Sequence, residues 1–319
     1  MQLTWPNIKS GAKGWTAIDA SQDGALVAAS VRCASRSPAR PQVVKCARSS
    51  ASSSELVSLA ELGGMMGMAG FPWTMPLQRG DYQMMVVAAP PVTSAEMERS
   101  LRWSLSSMVD FPIDEANVAW MHIPTAEFQP NRARHIYAIV SRKTLLEEKA
   151  ALFQKARLNL AAIDVRETAQ RNIAALLEKK GEGLGLLSVG STGVTITFTF
   201  DGELYLDRFI DLPLQEVVSA DVSGREKIFE RIALQVSRSV DFISRNFSFM
   251  PVKRIVLAPL PAPIKLLDYL VQNLPVQVEM LDLASVFDIS MTPELREPEN
   301  QAHYFVVLGA ALRGTGKMP

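Results

Sequence analysis

The clearest pattern in the chain is the regular alternation of apolar residues and threonines over residues 194–200. A period of two is typical of a β-strand whose two faces differ. The Asp201-Gly202 pair that follows predicts a tight turn into a second strand. Near the N-terminus, apolar residues at 15–18 and 25–32 flank a polar loop that ends in Asp-Gly, which predicts another hairpin. Both halves of the chain are therefore expected to begin with a β-hairpin.

Apolar residues spaced three and four apart predict several helices. The first has Met97, Leu101, Leu105 and Met108 on one face, and Thr93 with Glu96 is expected to form its capping box. The same spacing predicts helix starts at Ser52 with Glu55, Thr144 with Glu147, Asp164 with Glu167, and Ser223 with Glu226. The helix capped by Asp164 is expected to stop at the glycine-rich stretch 181–185, which is the predicted boundary between the two halves.

Residues 81–157 are predicted to form a small unit of their own. Their patterns indicate, in order, a strand, a helix, two strands and a further helix, which is an α+β arrangement. The second half continues with a long helix, then a buried strand at 253–258, a helix at 263–273, a strand at 276–281 and a last apolar run at 304–312.

The composition limits the class of protein. The chain has 319 residues, which predicts about two domains, and its 33 basic and 33 acidic residues give a formal net charge of zero. This balance favours neither nucleic acid nor an anionic membrane as a partner. No apolar run is long enough for a membrane span, and the N-terminus has no apolar signal-peptide core. We therefore expect a cytoplasmic protein with reduced cysteines that meets a membrane only through a partner.

Established catalytic and metal-binding motifs are missing from the sequence. The three histidines, His122, His135 and His303, lie far apart and lack the spacing of metal ligands. The sequence contains neither a P-loop nor the nucleophile elbow of a hydrolase. We therefore predict no catalytic residue and no metal site.

The two predicted hairpins indicate an internal duplication. Aligning residues 17–28 with residues 186–197 places Asp19 opposite Ser188 and Ser21 opposite Gly190. Two related halves that face each other would form a cleft lined by both hairpin loops, whose amides and hydroxyls could hold phosphate. The alternative is that both loops are ordinary turns, because Gly and Ser are common in turns.

Five segments of the chain carry a resemblance to a known family. They are AIDASQDGALVAAS near the N-terminus, LRWSLSSMVDFPIDEANVAW at 101–120, LLSVGSTGVTITFTFDGEL at 186–204, ERIALQVSRSVDFISRNF at 230–247 and YFVVLGAALRG at 304–314. In these segments and in the order of its elements, the chain resembles the PilM/MshI family of type IV (MSHA-type) pilus assembly proteins. That family is related to the cell-division protein FtsA and to actin.

The resemblance implies an α/β, actin-like fold of two duplicated, ribonuclease-H-like halves with an inserted small α+β subdomain. Residues 1–80 and 158–182 would form the first lobe, residues 81–157 the inserted subdomain and residues 183–319 the second lobe. The implied role is a scaffold at the cytoplasmic side of the inner membrane. It would bind the cytoplasmic N-terminal peptide of a bitopic, PilN-like protein and contact other components of the pilus platform.

The family also implies a nucleotide site, with ATP and Mg²⁺ as ligands. By resemblance, the phosphate-binding positions of this chain are Asp19, Ser21, Gly190, Ser191 and Thr192.

Three positions of this candidate site depart from the family. Ser21 replaces a glycine that lets the backbone approach phosphate, and Ser188 replaces an aspartate that helps to hold the metal ion. Pro259 stands where the family has a glycine-rich turn near the adenosine, and a proline has no amide donor. We therefore expect a degenerate cleft in a scaffold, and not an enzyme.

Two other functions remain open, together with the place of partner binding. The chain would alternatively be an active actin-like ATPase, or a sugar-kinase-like enzyme, whose nucleotide state switches partner binding. A third hypothesis is a polymerising cytoskeletal protein. The methionines Met65, Met66 and Met68 lie in a glycine-rich stretch that is either a packed core segment or an adaptable partner-binding surface.

Overall fold

The computed structural model describes residues 14–21, 25–33, 40–52, 54–67, 71–125 and 133–313. The strands, numbered in chain order, are β1 (Gly14–Ala20), β2 (Leu26–Arg32), β3 (Gln42–Arg48), β4 (Trp73–Pro76), β5 (Tyr82–Ala88), β6 (Ala116–Ile123), β7 (His135–Arg142), β8 (Leu160–Asp164), β9 (Gly183–Val189), β10 (Val194–Phe200), β11 (Glu203–Ile210), β12 (Val252–Leu257) and β13 (Gln277–Met280). The helices are α1 (Glu55–Met66), α2 (Ser94–Leu105), α3 (Lys143–Lys155), α4 (Arg166–Leu177), α5 (Leu214–Ser219), α6 (Val222–Asn246), α7 (Leu266–Asn273) and α8 (Pro298–Ala311).

Two five-stranded sheets share one topology. The first sheet has the order β3-β2-β1-β4-β8 and the second has the order β11-β10-β9-β12-β13. In each sheet the first three strands in the chain are antiparallel neighbours, and the last two are added parallel to the central strand. Asp19 is the sixth of seven residues in β1, and Ser188 is the sixth of seven in β9. The topology therefore makes Asp19 and Ser188 equivalent positions of the two halves.

A third sheet is inserted between β4 and β8. It has three antiparallel strands in the order β5-β7-β6, and α2 packs on β6. The second half has no such insertion at the equivalent place, because α7 connects β12 directly to β13. Helix α3 follows the third sheet and contacts α1 and β8, much as α7 contacts α6 and β13.

The two lobes exchange helices. Helix α4 leaves the first sheet at β8 but packs on β9, β10 and β11 of the second sheet. Helix α8 follows the second sheet but packs on β1, β2 and β4 of the first. The two helices also cross each other, and a single apolar core extends from Ala17 and Val27 through Ile173 and Leu308 to Leu186. The inter-lobe contact is therefore part of the hydrophobic core of the molecule.

The crossing of α4 and α8 requires glycine at position 309. A Cβ atom built on Gly309 would lie 2.2 Å from the carbonyl oxygen of Ala169, a distance that real Cβ contacts do not reach. The carbonyl oxygen of Gly309 also accepts a hydrogen bond of 3.0 Å from the side-chain amide of Asn172. The last apolar run of the sequence is therefore a buried helix whose smallest residue lies at the crossing.

Several predicted element boundaries are wrong. Thr93 and Glu96 do form a capping box at α2. In contrast, the residues that precede α1, α3 and α4 are Ser54, Arg142 and Val165, none of which caps its helix through the side chain. The cap of α6 is Asp221, whose carboxylate accepts from the amide of Gly224 at 2.7 Å. The capping-box spacing is a local signal, and neighbouring residues or tertiary ion pairs compete for the same groups.

The glycine-rich stretch is not a helix stop. Helix α4 ends at Leu177, and Gly183 and Gly185 lie inside β9. A Cβ on Gly185 would lie 2.4 Å from Cδ1 of Ile255, so this glycine makes room for a side chain of the neighbouring strand β12. These two glycines allow neighbouring side chains to pack closely against β9.

We predict that Gly309→Ala destabilises the protein by at least ~2 kcal/mol, because the added methyl group forces α4 and α8 apart. Urea unfolding followed by circular dichroism measures the loss. The matched control is Gly64→Ala in α1, where no atom lies within 4 Å of the new Cβ and we expect no loss. Equal losses in both variants would contradict the prediction.

Candidate functional site

The first candidate phosphate loop follows β1. Asp19 is 5% exposed, and Ala20 ends the strand. The amide of Ser21 donates to the carbonyl oxygen of Ala25 at 2.7 Å, which closes the hairpin. The predicted loop residues 22–24 lie outside the described part of the chain.

The carboxylate of Asp19 is bound by two side chains, one from α4 and one from the segment after β4. Nη1 of Arg166 lies 2.9 Å from one carboxylate oxygen and 3.1 Å from the other. The side-chain amide of Gln78 donates to the same carboxylate, and its carbonyl oxygen accepts from Arg166 at 3.3 Å. Asp19 is therefore neutralised by a guanidinium group and held in a three-residue network.

The second candidate loop follows β9 and contacts the same helix. The hydroxyl of Ser188 donates to the side-chain oxygen of Gln170 at 2.7 Å. Gln170 is buried, and its amide donates to the carbonyl oxygen of Leu186 and to the hydroxyl of Thr197. Gln170 and Arg166 lie one turn apart on α4, so one face of this helix contacts both equivalent positions. The structure thereby brings Asp19 and Ser188 to the same helix.

The remaining predicted phosphate-binding residues form the turn after β9. The amide of Gly190 donates to the carbonyl oxygen of Gly193 at 2.9 Å, and the Gly190 carbonyl oxygen accepts from Leu214 at 3.0 Å. Ser191 is exposed and Thr192 is half-buried. Gly193 has a φ of +153°, and a Cβ there would lie 2.4 Å from the Ile210 carbonyl oxygen. The Gly190 amide is thus engaged within the turn.

The segment after β12 is the third part of the candidate cleft. The amide of Ala258 continues the strand pairing by donating to the carbonyl oxygen of Leu187 at 2.8 Å. Pro259, Leu260 and Pro261 follow, and Leu260 is partly buried against the core. The segment therefore presents two prolines and a packed leucine.

Asp164 and Glu167 are not the helix cap that their spacing predicts. Asp164 forms an ion pair with Arg313, which follows α8, and accepts from the hydroxyls of Thr74 and Thr168, each at 3.4 Å. Glu167 is 1% exposed and binds Arg79 and the hydroxyl of Tyr82, the latter at 2.5 Å. Both carboxylates are used for tertiary contacts.

A cluster of ionisable side chains joins the two lobes and the inserted sheet. Its members are Arg79, Tyr82, Tyr137, Glu167 and Asp207. The guanidinium group of Arg79 also stacks over the ring of Phe209, at 4.3 Å from the ring centroid. We call this set the junction cluster.

The junction cluster shifts the pKa values of its members. The pKa of Asp207 is raised to about 6, mainly by burial and to a smaller extent by the nearby Glu167 carboxylate. Arg79 and Tyr137 lower it, but by less. Burial and Glu167 also raise the pKa of Tyr82 well above its usual value. Glu167 forms the ion pair with Arg79, and its carboxylate opposes ionisation of the buried Asp207, so the cluster is least favourable when both acids are ionised.

Sequence reasoning missed the side chains that define these sites. Arg166 and Gln170 lie on α4, Gln78 and Arg79 lie between β4 and β5, and none of the four belongs to a recognisable motif. The one signal in the sequence that points to these sites is the charged stretch from Asp164 to Glu167. The spacing of this stretch predicts a helix cap and does not reveal its tertiary ion pairs. Within the described residues, no group of three or more His, Cys, Asp or Glu side chains could hold a metal ion.

The methionines proposed for partner binding differ in exposure. Met66 ends α1 inside the core and is 1% exposed, whereas Met65 is 42% exposed. Met68 lies outside the described residues. No helix in the described part of the chain is both long and apolar enough to cross a bilayer.

Comparison with known proteins shows the fold. No protein-family model and no curated protein sequence matches the chain. A chain of a PilM–PilN type IV pilus biogenesis complex superposes with a TM-score of 0.70 at 17% identity, over 97% of this chain and 100% of that chain. A Bacteroides thetaiotaomicron protein of unknown function with an actin-like ATPase fold has a TM-score of 0.49 at 10% identity, over 91% and 98% of the two chains. The cytoplasmic domain of EpsL, an inner-membrane component of the Vibrio cholerae type II secretion system, has a TM-score of 0.47 at 8% identity, over 76% of this chain and 81% of that chain.

The protein has an α/β, actin-like fold. The duplicated sheet order, the exchanged helices and the inserted three-stranded sheet are its defining features. The predicted fold of two ribonuclease-H-like halves with an inserted α+β unit is therefore confirmed.

We predict that Asp207→Asn stabilises the protein by ~2 kcal/mol at about pH 7.5 and that this gain falls by more than half at about pH 4.5. The pKa of Asp207 is raised in the folded state, so the folded state binds its proton more tightly than the unfolded state does. The ionised carboxylate thus costs stability above about pH 6, and the cost disappears as the pH falls toward the unfolded pKa.

Urea unfolding of both proteins at the two pH values measures this difference. The exposed Asp211, which follows the same strand, gives the control Asp211→Asn, for which we expect no gain. A gain that is equal at both pH values would show that titration of Asp207 is not its cause.

Proposed function

We propose that the chain is an actin-like scaffold of a type IV pilus assembly platform and that it acts on the cytoplasmic side of the inner membrane. The observation that carries the proposal is the superposition on a chain of the PilM–PilN complex, which covers nearly all of both chains. The sequence segments described above support the same class. They also support the finer proposal that the system is of MSHA type and that the protein is nearest to MshI.

The proposed partner is a bitopic, PilN-like inner-membrane protein, bound through its cytoplasmic N-terminal peptide. The partner would hold the scaffold at the membrane and connect it to other platform components. An extended peptide binds best to an unpaired strand edge with apolar pockets. β5 is an edge strand of the inserted sheet, its residues 82–88 include no charged residue, and Val86 is 49% exposed. We place the peptide along β5, with the exposed Met65 as a further candidate contact.

The proposed scaffold has a degenerate nucleotide cleft. Support comes from Asp19, because both of its carboxylate oxygens accept from Arg166. A hard cation such as Mg²⁺ would have to replace this guanidinium. The equivalent position of the second half is the neutral Ser188, which donates to Gln170. A bound phosphate would need the amide of Gly190 as a hydrogen-bond donor. This amide already donates to a carbonyl oxygen within its own turn.

We predict that the purified protein binds the N-terminal peptide of its PilN-like partner and that Val86→Lys weakens binding about tenfold or more, because a lysine on an edge strand opposes pairing. Calorimetric titration measures both affinities. Val271→Lys on α7 is the control, since Val271 is 53% exposed but lies in the other lobe. Unchanged affinity in both variants would exclude β5 as the site, and no binding to the unaltered protein would contradict the scaffold proposal.

We predict no binding of Mg-ATP, or of a non-hydrolysable analogue, up to millimolar concentration in the same calorimetric assay. The reason is that Arg166 and Gln78 bind the carboxylate that would face the metal ion. Micromolar binding that is lost in Asp19→Asn would instead favour an actin-like ATPase whose nucleotide state switches partner binding.

A further inference from the structure

Helix α6 has a positively charged stripe on its exposed side. Lys227, Arg231, Arg238 and Arg245 are all exposed and follow one another at intervals of four, seven and seven residues. At about 3.6 residues per turn these intervals are close to whole turns, so the four side chains lie on one line along the helix. The line is about 27 Å long at 1.5 Å per residue. We call these four residues the α6 basic stripe.

The side of α6 opposite the basic stripe is apolar and buried, and this fixes the orientation of the helix. Its buried residues pack the helix onto the second lobe and are Ile228, Phe229, Ile232, Ala233, Val236, Ser239 and Ile243. Helix α6 contacts β11, β12, α5 and α7 on that side. The fold therefore fixes the basic stripe on the outer surface of the molecule.

The charges of the stripe are not used within the described chain. None of the four side chains forms an ion pair with a described residue. The acidic residues of the helix, Glu226, Glu230 and Asp241, fall on one flank of the stripe by the same periodicity. Lys227 and Arg231 are like charges one turn apart, an arrangement that costs a helix some stability. A surface that concentrates unpaired charge on a chain of zero net charge is suited to an anionic partner.

Two exposed apolar side chains lie beside the stripe. Leu234 is 47% exposed and Phe242 is 37% exposed, and periodicity places them on either side of the line of cations. The guanidinium group of the exposed Arg208, on β11, lies 5.5 Å from the centroid of the Phe242 ring and adds a fifth cation. Exposed basic residues are attracted to an anionic bilayer, and exposed apolar side chains beside them can enter its headgroup layer.

We infer that α6 binds the surface of an anionic phospholipid bilayer. Headgroup phosphates would pair with the basic stripe, and Leu234 and Phe242 would enter the headgroup layer. A bilayer fits better than an acidic protein, because the stripe runs straight along an outward-facing helix, which matches a plane. This contact goes beyond the partner-mediated location proposed above and does not need the PilN-like protein.

Vesicle cosedimentation of the purified full chain tests this inference. Vesicles of phosphatidylcholine with phosphatidylglycerol should retain the protein, and vesicles of phosphatidylcholine alone should not. High salt should release the protein, because it screens exposed charges. The double variant Arg231→Glu/Arg238→Glu should reduce the partition coefficient at least about tenfold, since each basic residue at an anionic surface contributes independently. Leu234→Ser should reduce it less while leaving the dependence on phosphatidylglycerol.

The matched control is Lys179→Glu/Lys180→Glu, which makes the same change in charge at two exposed lysines between α4 and β9. Circular dichroism verifies that each variant is folded. Equal losses in both double variants would show a general effect of net charge and would overturn the inference. Binding to soluble polyglutamate but not to the anionic vesicles would overturn it in favour of an acidic protein partner. Normal peptide binding by the α6 variant would separate this result from a failure of the scaffold proposal.

Discussion

The close crossing of α4 and α8 is the contact on which the rest of the structure depends. Each helix completes the lobe that it did not arise from, and the two backbones approach so closely at Gly309 that no larger residue fits. Helix α4 also carries Arg166 and Gln170, which contact the equivalent strands β1 and β9. The position of both candidate loops is therefore set by helix packing, and a shift at the crossing would move both together.

The polar contacts of α4 change the chemistry of the cleft. In this chain the helix donates from the Arg166 guanidinium group to Asp19 and accepts at the side-chain oxygen of Gln170 from the hydroxyl of Ser188, so the protein itself bridges the two loops. Glu167, the residue after Arg166 in the first turn of the same helix, belongs to the junction cluster, where its carboxylate helps to raise the pKa of Asp207 in the other lobe. The lobes and the inserted sheet are thus joined by buried polar groups as well as by the apolar core. Such groups make a junction specific in geometry at some cost in stability.

The sequence predicted the architecture better than the site, for physical reasons. The alternation at residues 194–200, the turn at Asp201-Gly202 and the apolar positions 97, 101 and 105 of α2 are local patterns that gave the correct elements, whereas Met108 lies beyond the end of α2 and is exposed. The equivalence of Asp19 and Ser188 also came from local alignment of the two hairpins. In contrast, Asp19 is bound by Gln78 and Arg166, and Glu167 is bound by Arg79. These partners are distant in sequence and belong to no motif. Spacing alone assigned Glu167 to a cap, because a local signal cannot reveal a competing tertiary ion pair.

The exchange of helices has a consequence for synthesis on the ribosome. The first hairpin is complete at Arg32 and the last strand of the first sheet ends at Asp164, but the helix that covers this sheet starts only at Pro298. Until then the apolar residues of β1 and β2 that pack against α8 have no cover of their own. The nascent first lobe must therefore keep an exposed sheet face until residues 298–311 have been translated. A sheet face that stays exposed during elongation is prone to aggregation, because apolar strands without cover can pair with other chains.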